Sequence, residues 1–62
     1  SMIIHIGDAI LSLNSNAIFT LKAPSGTDID NAEINWLDGT TPISKADIKT
    51  EMERLQTIED NK

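Results

Sequence analysis

His5 carries the only imidazole in the chain, so any acid–base or nucleophilic chemistry near neutral pH starts there. With no cysteine and no tyrosine in the sequence, a Ser–His pair is the one nucleophilic arrangement left to it. Nothing supports such a pair. His5 sits among Met2, Ile3, Ile4 and Ile6, a setting that predicts a partly exposed structural imidazole. A single histidine without cysteine also falls short of a common structural zinc site. The acidic stretch Asp28-Ile29-Asp30-Asn31-Ala32-Glu33 superficially resembles a calcium loop. An EF-hand, however, needs an oxygen ligand at its fifth position and glycine at its sixth, where this chain has Ala32 and Glu33. The stretch therefore reads as a solvated acidic turn, with weak adventitious ion binding by Asp28, Asp30 and Glu33 as the alternative. Gly7, Gly26 and Gly39 are isolated and none is followed directly by lysine, so a phosphate-binding loop is not expected. A chain this short leaves little room for a pocket of several hundred Å³, and neither enzymatic activity nor a cofactor is expected.

The remaining candidates are apolar. Trp36 is the only tryptophan and Phe19 the only other aromatic residue. Facing inward they are the bulkiest core residues available; at a surface, tryptophan is enriched as an interface anchor. Ile48, Met52 and Leu55 divide in the same way, between core and a helix face that docks on a copy of itself or in a partner's groove. Trp36, Ile48, Met52 and Leu55 are thus the candidate interaction residues.

These residues must be positioned by a small set of elements. Ile3, Ile6, Ile10, Leu13 and Ala17 step by three and four, predicting a helix from about Ile6 to Leu13. Asp8 suits its N-cap or first turn, and Asn14-Ser15-Asn16 ends it through asparagine's tolerance of the left-handed conformation. The competing reading, which the spacing disfavours, makes Met2 to Ile6 a strand with Gly7-Asp8 as its turn. Ala17, Phe19, Leu21 and Ala23 alternate with Ile18, Thr20 and Lys22, as in a half-buried strand. A loop through Pro24-Ser25-Gly26-Thr27-Asp28 follows, then a second strand on Ala32, Ile34 and Trp36 that ends at Asp38-Gly39. Thr41-Pro42 leads into a capping box of Ser44 and Asp47, flanked by Ile43 and Ile48 at hydrophobic-staple positions. An amphipathic helix is predicted from about Lys45 to Ile58, with Ile48, Met52, Leu55 and Ile58 or Glu59 inward, Lys49, Glu53 and Gln56 outward, and Asp60 to Lys62 fraying. The fold class is α+β: one small domain over residues 1–62, an antiparallel hairpin between two helices, with the C-terminal helix packed on the sheet.

A chain of 62 residues buries only about 60% of its unfolded surface, so its core is small, and without cysteine no disulfide reinforces it. Open strand edges and incompletely covered apolar surface predict self-association, most simply as a homodimer. Ten acidic against five basic residues give a formal charge of −5, which repels rather than attracts nucleic acid. No apolar run approaches the roughly 20 residues of a membrane span, and Met2-Ile3-Ile4 is too short for a signal peptide, so a soluble, non-exported protein is expected. Ser1 ahead of Met2 reads as the remnant of a cleaved tag.

Two runs, DAILSLNSNAIFTL (Asp8 to Leu21) and INWLDGTTPISKADIKTEMERLQ (Ile34 to Gln56), resemble short bacteriophage proteins of the XkdW-like kind, encoded among tail and tail-fibre genes. The family-like part is an apolar-x-Trp strand end, an acidic turn, a Thr-Pro lead-in and a capped charged helix. Relatives often carry a longer polar tail, whereas this sequence stops at Lys62. The resemblance implies a non-enzymatic accessory protein in tail or tail-fibre assembly, in the host cytoplasm during infection or associated with the virion, whose partner is another phage or host protein. It transfers no site residues. The alternative is a small acidic regulator or inhibitor that binds a basic patch on a host protein; a minor structural virion component is a third reading.

Overall fold

A computed structural model describes residues 2–62, so the tag assignment of Ser1 lies outside the described residues. Helix α1 spans Ile6–Leu13, strand β1 Phe19–Lys22, strand β2 Glu33–Trp36 and helix α2 Lys45–Asp60. The chain is an α+β unit of two helices and a two-stranded antiparallel sheet.

Asp8 lies in the first turn of α1, where its carboxylate accepts the His5 amide at 2.9 Å and its charge faces the positive end of the helix. Ile6, Ala9 and Ile10 point inward. Ile3 and Leu13, expected on the same stripe, are exposed, and Ile4 is buried instead. Ile3 precedes the helix, where the chain does not follow the helical path that the spacing presumed, and Leu13 is the last residue of the helix, past the buried turn of Ala9 and Ile10. The expected left-handed asparagine terminus is also corrected. Asn14 is extended (φ −148°), its carbonyl accepts the Ala17 amide at 3.0 Å, and its side chain accepts the Asn16 amide at 3.0 Å. An Asx turn, rather than a left-handed residue, redirects the chain into β1.

The hairpin pairs Phe19 with Trp36, Thr20 with Asn35, Leu21 with Ile34 and Lys22 with Glu33. The Leu37 amide extends the ladder to the Ile18 carbonyl at 2.8 Å. Hydrogen-bonded pairs alternate with closer, non-bonded ones. Phe19–Trp36 is therefore a close pair, with ring centroids 5.9 Å apart at 46°. Asp38 (φ 52°) and Gly39 (φ 75°) are both left-handed and form a tight turn closed by the Thr40 amide on the Leu37 carbonyl at 3.0 Å.

Helix α2 starts at Ser44, whose hydroxyl accepts the Asp47 amide at 3.1 Å; the reciprocal Asp47 bond of a full capping box is not made among the described residues. The helix runs two residues past the expected Ile58. Ion pairing of Lys62 with Glu59 at 3.1 Å supports its end. Helices α1 and α2 run antiparallel, since Ile4 meets Gln56 and Ser12 meets Glu51. Ile6, Ile10 and Ile48 are fully buried between them, each contributing about 1.5–3 kcal/mol by leaving water. The inner face of the hairpin closes this core through half-buried Phe19, Ile34 and Trp36. Ile29 and Ala32, from the loop between the strands, complete it.

Candidate functional site

The four apolar residues singled out by sequence do not form one exposed face. Ile48 is fully buried beneath α1, so it holds the core and presents nothing to a partner. Its position at the centre of the helix pair is the physical reason for that correction. Trp36 and Met52 are half-buried against the same core, and Leu55 is half-buried farther along α2. Trp36 spends part of its surface on Phe19.

His5 stands at the N-cap of α1, and its imidazole makes no hydrogen bond to a serine hydroxyl among the described residues. Its imidazole lies over Gly26, where an added Cβ would come within 2.6 Å of the ring carbon Cδ2, and 3.8 Å from Asp8. Close approach between ring and backbone is what that glycine permits. The acidic loop is likewise committed. Asp28 accepts the amide and side chain of Asn31, while Asp30 pairs with Lys49 at 3.3 Å and its carbonyl accepts from Lys45. Lys49 thus occupies the Asp30 charge that a cation would otherwise take. No group of three or more potential metal-ligating side chains comes together among the described residues.

Glu51 is the polar centre that sequence reasoning missed. It is only 7% exposed, and it is the one charged residue buried with the core among the described residues. Arg54 donates to its carboxylate from Nε at 2.7 Å and from Nη2 at 2.9 Å, and the Ser12 hydroxyl donates at 2.5 Å. The Arg54 guanidinium first, and the Ser12 hydroxyl second, hold the Glu51 pKa down at about 2, against the opposing cost of desolvation. A carboxylate this acidic and this fully bonded is a poor general base. Its effect is to clamp α1 to α2. The signal was present in the spacing, because Glu51 follows Ile48 by three positions and Arg54 follows Glu51 by three.

Beside this clamp lies an open groove of about 540 Å³, between the end of α1, the lead-in to α2 and the first turns of α2. Its size departs from the expectation that so short a chain leaves little room for a concave site. Leu13, Pro42 and Ile43 give it apolar walls, and Asp47 and Glu51 give it acidic ones. Arg54 neutralises Glu51, but no ion pair engages Asp47 among the described residues. The arrangement is suited to binding and charge recognition.

Comparison of the chain with protein-family models, curated proteins and solved structures finds no match. No helix among the described residues is long and apolar enough to cross a membrane.

Proposed function

We propose that this chain is a non-catalytic protein-interaction module of phage tail or tail-fibre assembly, acting as a homodimer that engages another phage or host protein. One observation supports an interaction role above the rest: the hairpin is a two-stranded sheet with both edges open. On its outer face Ile18 and Leu37 lie opposite one another and are both exposed, while Lys22 and Glu33 are paired in register. A second copy meeting this face finds apolar surface and balanced charge, despite the net −5 of the chain. The tail-assembly assignment draws on the XkdW-like resemblance, as does the location in the host cytoplasm or on the virion.

The test is deletion of the coding sequence from a phage that carries it, followed by electron microscopy of the particles and light scattering of the purified protein. Particles lacking tails or fibres, with a dimer mass in solution, are the expected result. Normal particles with an altered host response would transfer the protein to the regulator reading. A monomer mass at tens of micromolar would remove the dimer.

A further inference from the structure

The groove between the end of α1 and the start of α2 has three properties that belong together. Its floor and walls are apolar at Leu13, Pro42 and Ile43. The amides of Thr41 and Ile43, two residues that line it, have no hydrogen-bond partner among the described residues. It also carries Asp47, a carboxylate without a cation among the described residues. Four of the five basic side chains are committed elsewhere: Lys45 and Lys49 bond Asp30, Arg54 bonds Glu51 and Lys62 bonds Glu59. Leu13 is 44% exposed, so it is reachable without unfolding.

From this we infer that the groove receives an extended, basic segment of a partner protein, with an apolar side chain against Leu13, Pro42 and Ile43 and a lysine or arginine against Asp47. Open backbone donors favour an extended chain, whose carbonyls accept from them. The unpaired carboxylate selects a cationic side chain. A second copy of this chain is a poor occupant, because its net charge is −5 and four of its five basic side chains are already bonded within the chain. The inference specifies the partner chemistry of the interaction module proposed above and rests on that reading.

The probe is a fluorescein-labelled hexapeptide alternating lysine and valine, with a glutamate–valine counterpart, measured by anisotropy and by amide chemical-shift mapping. The lysine peptide binds, its shifts centre on Leu13, Thr41 and Thr50, and the glutamate peptide does not bind. Asp47→Asn weakens binding by about fivefold, the scale of one partly exposed charge contact, Leu13→Ser weakens it by about fivefold or more through the lost apolar contact, and Asp28→Asn, which removes the same charge elsewhere, leaves it unchanged. Circular dichroism confirms that each variant is folded. Equal weakening by Asp28→Asn, shifts centred on the hairpin, or no binding of the lysine peptide would each overturn the inference. A Leu13→Ser variant that turns a dimer into a monomer would assign the groove to a second copy and overturn it too. Dimerisation that survives failure of peptide binding leaves the interaction-module reading standing, so the two fail separately.

Discussion

Glu51 shows how one residue can link two helices that are distant in sequence. It is 39 positions from Ser12, yet Ser12 and Arg54 together satisfy its carboxylate in a nearly buried site. A pKa of about 2 in the folded chain, against an ordinary 4.5, means that the unfolded state takes up the proton first as pH falls. The stabilisation from ionised Glu51 is therefore complete above about pH 4.5, declines below it, and is gone below about pH 2. Glu59 is lowered in the same direction, chiefly by Lys62, and adds to the same acid-side loss. Calorimetric melts from neutral pH down to about pH 2 will show the melting temperature falling across that window. Glu51→Gln will melt lower than the parent at neutral pH, and the gap will narrow as the medium is acidified. A constant gap would show that the carboxylate charge does not link the helices. The helical spacing of Glu51 from Ile48 is consistent with an inner position; what spacing could not supply was Ser12 as a partner.

At the scale of the element, local chemistry and observed geometry agree most closely in α2. Ser44 sits in extended conformation before the helix and accepts the third amide beyond it, so Ser44→Ala will cost about 1 kcal/mol in urea or thermal melts. An unchanged midpoint would remove Ser44 as the cap. The hairpin was legible for similar reasons, since alternation on Phe19, Leu21, Ile34 and Trp36 and the Asp38-Gly39 turn are both short-range signals. Gln56 was not. Helical spacing assigns it to the solvent face, but its carboxamide accepts the Ile4 amide at 2.9 Å and donates to the Met2 carbonyl at 3.0 Å, fastening the N-terminal segment to α2. A glutamine side chain can serve as a surrogate backbone, and only the path of the segment beside it reveals that use.

For the whole molecule, the small core makes a few isoleucines decisive. Ile48→Ala removes a fully buried side chain between the helices and will cost about 2–5 kcal/mol. A 62-residue chain has about 3–9 kcal/mol of stability in all, so the variant will lose a large share of it, and denaturant titration will show a clearly lower midpoint. Retention of full stability would contradict the central place given to Ile48. The sequence by itself determined the element order, the start of α1 at Ile6, the hairpin and its turn, and the cap and staple of α2. Those follow from interactions among residues a few positions apart, which spacing and residue type express directly. Tertiary structure alone decided that Ile48 is core rather than surface, that Ile29 leaves an acidic loop to join that core, that Glu51 finds Ser12, and that an acidic groove opens beside Leu13 and Asp47. Each depends on the antiparallel closure of α1 on α2 across some forty residues of chain, and burial and charge pairing are set by that closure, with no mark in local periodicity.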